Sequence, residues 1–170
     1  MTLPDLTPDC RRCDALCCVL LAFDASDTFG FDKAACAPCR HLTGDNLCRI
    51  HAGLQDQGFA GCVSFDCHGA GQIVTEQVFK GRSWRDDPGL LPAMDQAFRL
   101  QRRLHEALVL LEQSADLPLT AAQDTTRRAL RAALSAPRSA ADLQGPEPLA
   151  ALSRAADYFA SLRTVIPRRR

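Results

Sequence analysis

All nine cysteines of this 170-residue chain fall between Cys10 and Cys67. They read C-R-R-C-D-A-L-C-C from Cys10 to Cys18, A-C-A-P-C-R-H-L-T-G-D-N-L-C-R-I-H from Ala35 to His51, and G-C-V-S-F-D-C-H from Gly61 to His68. A chain this long can bury a core of its own, so the thiols are not needed merely to permit folding. Disulfides, a metal or redox chemistry must hold them together. Nine is odd, which disfavours a closed disulfide set. Residues 1–9 have neither the basic run nor the apolar core of a secretory signal. The longest apolar run, around Val19 to Phe23, is far shorter than a membrane span. The expected compartment is cytoplasmic, where thiols stay reduced, and metal binding is the expected use of them.

Charge excludes some partners. Twenty acidic and twenty basic side chains cancel. Residues 1–88 hold eight Lys/Arg against twelve Asp/Glu, and residues 89–170 hold twelve against eight. That reversal marks a change of character near Pro88 and makes no nucleic-acid surface. The chain therefore divides into a cysteine-cluster metal-binding module at 1–88, a helical bundle at 89–166 and a basic tail at 167–170.

The expected fold class is mainly α. An irregular cysteine-rich module with a small β-hairpin packs on a C-terminal bundle of about three helices. Cys10 to Cys18 can form a turn of helix, with Cys10, Cys13 and Cys17 along one stripe. Cys18 then points about 100° away from Cys17, so either the backbone bends there or Cys18 serves a different site. The hairpin pairs the alternating Val19, Leu21 and Phe23 with Phe29 and Phe31 across Asp24 to Asp27. Leu47, Ile50 and Leu54 are spaced as one short helix face. Ile73, Val74, Gln77 and Val78 mark a helix between Gly69 and Gly81, and Trp84 reads as a packing anchor. Leu90, Met94, Ala97, Phe98, Leu104, Leu108 and Leu111 form a long helical stripe. Thr120 with Gln123 fits a capping box, followed by a helix burying Leu130, Ala133 and Leu134. A last helix from about Pro148 to Arg163 buries Leu149, Leu152, Ala156, Phe159 and Leu162.

Thiolate is a soft ligand suited to zinc and to iron–sulfur clusters. Cys10/Cys13 and Cys36/Cys39 both have the C-x2-C spacing that turns two sulfurs on one ion, as in a zinc ribbon. The chain holds more than four candidates, and a plain ribbon has no Cys17-Cys18 doublet. The ferredoxin run is absent. His51 and His68 adjoin the thiols, while His41 and His105 read as surface or helix-face residues. Asp14, Asp66 and Glu76 read as solvated charges. Cys67-His68 carries no triad spacing, so no catalytic residue is assigned.

The order C10-R-R-C13-D-A-L-C17-C18, then P38-C39-R-H-L, then C48-R-I-H51, then Cys62 and Cys67, resembles the bacterial cysteine-cluster family of YkgJ type. Its members are described as zinc- or iron-chelating domains. The resemblance covers residues 10–68, about a third of the chain. It implies Cys10, Cys13, Cys17, Cys18, Cys39, Cys48, Cys62 and Cys67 as metal ligands and leaves Cys36 outside the pattern. It implies zinc or an iron–sulfur cluster as the cofactor without choosing between them. Eight thiols fit two four-ligand sites, one cluster with extra thiols, or one zinc with buried cysteines. Three functions follow: a structural or chelating metal protein, an iron–sulfur redox or electron-transfer protein, or an adaptor whose helical half binds a protein partner.

Overall fold

The computed structural model describes residues 2–165, so the basic tail at 167–170 lies outside the described residues. The chain is mainly helical. α1 (Leu16–Leu20), α2 (Ala60–Ser64) and α3 (Ala70–Ile73) are short, whereas α4 (Leu91–Gln113), α5 (Ala121–Leu134) and α7 (Glu147–Ser161) are long, with the five-residue α6 (Ala140–Gln144) before α7. Among the described residues no helix is long and apolar enough to cross a membrane.

α4 is the spine. Pro92 in its first turn has no N–H to leave unpaired. Its 23 residues run about 35 Å at 1.5 Å per residue. Met94, Ala97, Phe98, Leu104, Leu108 and Leu111 are buried along it, as the stripe predicts. Arg99 pairs with Asp95 and Arg102 with Glu106 on the outer side. α4 touches α1 and α3 from the cysteine half, and α5, α6 and α7 from the other. One continuous core results. It joins Leu16, Val19, Leu20, Val74 and Trp84 to Phe98, Leu108, Leu134, Ala155 and Leu162.

Two local signals act as the sequence suggests. Thr120 accepts from the Gln123 N–H at 3.2 Å while the Gln123 side chain accepts from the Thr120 N–H at 2.9 Å. α3 runs from Ala70 into a wider turn at Val74–Val78, burying Val74 and Val78.

Other expectations are corrected. Val19 and Leu20 belong to α1, so the predicted hairpin has no first strand. The chain instead doubles back through isolated antiparallel bridges, Phe23 with Lys33 and Ser26 with Phe29. Phe23, Phe29, Phe31 and Phe59 cluster over this turn, with Phe23 stacked on Phe29 at 4.4 Å. The helix expected through Cys10 and Cys13 starts only at Leu16, because Ala15 sits at φ +55°. Around Leu47, Ile50 and Leu54 only His51–Gly53 winds, as a tight 3-10 turn. Leu162 is buried as expected and Leu152 and Phe159 pack against the core, but α7 itself buries Pro148, Ala151, Ala155 and Tyr158 and leaves Leu149 half exposed. α6 was not expected; Ser139 and Asp142 cap it reciprocally and Leu143 anchors it.

Candidate metal centre

Asp14 organises the ground under the thiols. It is buried, and its carboxylate accepts from Asn46 Nδ2 at 2.5 Å, Ser83 Oγ at 2.8 Å and the Trp84 N–H at 3.2 Å. Trp84 Nε1 donates to the Asp14 carbonyl at 2.8 Å. The Asp14 N–H donates to Thr75 Oγ1 at 3.0 Å. Arg85 donates to Asn46 Oδ1 at 2.5 Å and to the Thr43 carbonyl at 2.8 Å. The first cysteine run, the loop before Cys48, the turn after α3 and the Trp84 joint therefore meet at one residue, Asp14. A buried carboxylate is stable only when so partnered. Asp14 is thus no solvated charge, and Trp84 is tied to it as well as packed.

Residues 7–14 are strapped to α3. Gln72, itself buried, accepts from the Asp9 N–H at 3.0 Å and donates to the Thr7 carbonyl at 2.8 Å. Arg12 forms a bidentate pair with Glu76. Such an exposed pair contributes little energy but fixes direction. Cys13 lands on Gly71, where an added Cβ would stand 2.5 Å from its Sγ. Cys67 lies three residues before the first residue of this helix, and its carbonyl accepts from the Ala70 N–H at 2.9 Å. On the other side, the Cys39 N–H donates to the Cys18 carbonyl at 3.0 Å, and Leu42 bridges to Cys48.

All nine cysteines are free thiols, and each is exposed or only partly buried. Cys13, Cys17, Cys18 and Cys67 pack against the core, whereas Cys10, Cys36 and Cys62 are exposed, so core packing does not explain the whole set. Burial pushes the Cys13 thiol up to about 12, with Cys67 and Cys10 adding to the rise. Burial, then Cys18, Cys39 and Cys48, pushes Cys62 up to about 11. Cys48 is raised by burial and by Cys18 and Cys39. Cys10 is raised by burial, then by Cys18 and Cys67, and also by Cys48. Cys17 and Cys18 lie 3.9 Å apart, sulfur to sulfur. Cys17 is raised because its thiol donates to Cys18, and Cys18 is lowered by receiving that hydrogen bond, so Cys18 ionises first.

These mutual influences fall into two groups. Cys13 feels Cys67 and Cys10, whereas Cys48 and Cys62 feel Cys18 and Cys39. Cys17 joins them through Cys18, and Cys10 bridges them, feeling Cys18 before Cys67. Cys36 is exposed, at φ +57°, and among the leading influences acts only on Lys33. The sulfurs gather without closing: among the described residues no three Cys, His, Asp or Glu side chains stand ready to hold an ion. The donor chemistry nevertheless fits a soft cation. Each thiolate formed here opposes the next, and a bound metal reverses that logic by deprotonating its ligands.

The histidines divide. His51 is exposed. His68 sits 3.4 Å from Asp66 through Nδ1, and Asp66 also accepts from the His68 N–H at 2.6 Å. His41 lies among the aromatic rings, 5.2 Å from Phe59. His105 is wholly buried on α4, against the helix-surface expectation. Its Nδ1 bonds the His68 carbonyl at 2.5 Å and its Nε2 faces Gln101 Nε2 at 2.8 Å. A carbonyl only accepts, so Nδ1 carries the proton and Nε2 accepts from Gln101. His105 thus anchors the segment carrying Cys67. Its place on a stripe of leucines was the available signal.

Over 115 residues the chain is 38% identical to a Bacillus subtilis (strain 168) protein named "Uncharacterized protein YybG", which covers 68% of this chain. The chain spans 41% of that relative's length. No family model matches, and no solved structure matches.

Proposed function

We propose that this is a cysteine-cluster metal-binding protein in which Cys10, Cys13, Cys17, Cys18, Cys39, Cys48, Cys62 and Cys67 hold zinc or iron–sulfur, in a structural or chelating role. The observation that carries this reading is the gathering of eight partly exposed thiols from three separate stretches, in which burial and neighbouring thiols make Cys10, Cys13, Cys48 and Cys62 harder to ionise. A free-thiol cluster has no stabilising reason to exist, whereas a soft metal turns the same arrangement into ligation. The YkgJ-type resemblance points to the same eight residues. Their grouping favours two four-thiolate sites, one from Cys10, Cys13, Cys17 and Cys67, the other from Cys18, Cys39, Cys48 and Cys62. The doublet then sends one sulfur to each site, which explains why adjacent cysteines are useful. A reducing compartment such as the cytoplasm keeps these thiols available.

Metal analysis of protein purified without oxygen tests this. Colourless protein with bound zinc supports a structural or chelating centre. Brown protein with iron and acid-labile sulfide supports a cluster, and with it the redox alternative. Protein that stays metal-free when offered both zinc and iron with sulfide refutes the proposal.

A further inference from the structure

Lys33 is the one lysine that the fold takes out of water, with 6% of its surface left exposed. Its ammonium donates to three carbonyls, Val19 at 2.9 Å, Leu21 at 2.6 Å and Ala34 at 3.0 Å. All three protons are therefore used. The Phe23 ring lies 5.8 Å away, and Phe23 and Lys33 also exchange both backbone hydrogen bonds. No carboxylate among the described residues pairs with it; every described ion pair involves other cations. A buried ammonium without a counter-charge is costly. Burial is the largest influence on the ammonium and disfavours its charge; the leading groups that act against it are the thiols of Cys39, then Cys18, Cys36 and Cys17.

We propose that Lys33 is the fixed counter-cation of the Cys18–Cys39 side of the centre, a positioning residue that helps hold the anionic metal–thiolate group. The inference rests on the metal-binding reading above. A divalent ion with four thiolates keeps a net negative charge, as does an iron–sulfur cluster held the same way, and a cation fixed behind it lowers its energy. Val19 directly follows Cys18, and its carbonyl holds the ammonium, so the charge is set by the same short helix that presents the sulfur. The plain alternative is a cap. Val19 lies in the last turn of α1 and Leu21 just beyond it, where helix carbonyls lack partners. A cap needs donors; a counter-cation needs charge.

Two variants separate these roles. Lys33→Arg keeps charge and donors, whereas Lys33→Gln loses the charge and keeps two of the three donors. The full chain and both variants are reconstituted with zinc under anaerobic, reducing conditions. Zinc is then withdrawn with a chromophoric chelator, and thermal melting of the metal-free forms is followed by circular dichroism. The expected result is that Lys33→Gln releases zinc at about tenfold lower chelator concentration, while Lys33→Arg stays near the parent. The metal-free melting temperatures should be similar for the parent and Lys33→Gln. Equal retention in the parent and Lys33→Gln overturns the lysine inference and leaves metal binding intact. Equal loss in both variants shows that the fit of the side chain and not its charge matters, a metal-free Lys33→Gln protein without helical signal shows a cap, and either result overturns the inference. A parent chain that takes up no zinc, and no iron with sulfide, removes the metal reading and this inference together.

Discussion

Residues 91–162 and residues 10–67 are held by different forces. The long helices are closed by apolar stripes that meet in one core, and each cap or surface ion pair adds a little. The cysteine stretch has only short turns and isolated bridges. It leans on α4 through α1, on the Asp14 network and on strapping bonds to α3. Burial keeps thiols such as Cys13 and Cys62 protonated, and as neutral groups they add no attraction of their own. The helical half can thus be stable on its own contacts, whereas the cysteine half depends on a shared core and, under the proposed function, on a metal. The lesson is that one continuous core need not make a chain uniformly stable.

The largest expected effect is metal removal. Chelation should accelerate amide exchange across residues 10–67 while α4, α5 and α7 keep their protection, because ligand bonding supplies much of the folding free energy of a metal module. Uniform protection with and without chelator would erase the contrast. Next is Phe98→Ala, which opens the shared core beneath both halves. It should cost about 3–5 kcal/mol, with exchange rising in α1 as well as α7. Destabilisation confined to α4–α7 would show that the halves do not share a core energetically.

A smaller effect concerns pH. Burial lowers His105 below its ordinary value of 6.5, so the folded chain keeps it neutral while the unfolded chain takes up a proton. The unfolded state then binds more protons, and stability rises with pH. This contribution is present above the unfolded value and is lost as pH falls from there through the lower folded value. Denaturant midpoints of the metal-free protein should fall on acidification, and His105→Gln should flatten that slope. An unchanged slope in the variant would remove His105 from the account of acid sensitivity.

Local patterns were legible in the sequence, and long-range ones were not. The Thr120–Gln123 box spans three residues, so its chemistry is complete within the window that reveals it. The α4 stripe is similarly self-contained. The α7 face was misread in part because Leu149 and Ala156 look like core residues by type, while the buried face relies on Pro148, Ala151 and Ala155. Asp14 could not be recognised as buried, since its partners lie 32 to 70 residues away. The hairpin failed because alternation in Val19 to Phe23 was satisfied differently: α1 took Val19 and Leu20 into the core. The cysteine set was visible as a set. The approach of Cys13 to Gly71 and the bond from Cys39 to Cys18 were not, because each joins distant parts of the chain.

The most direct test is the metal-to-protein ratio of Cys13→Ser, Cys39→Ser and Cys36→Ser beside the parent, each purified without oxygen. A hydroxyl is a poor substitute for thiolate on a soft ion. Binding at two four-thiolate sites predicts that Cys13→Ser and Cys39→Ser each lose about half of the metal, from different sites, and that Cys36→Ser loses none. Loss in Cys36→Ser equal to that in Cys39→Ser would contradict it and favour a ribbon built from Cys10, Cys13, Cys36 and Cys39.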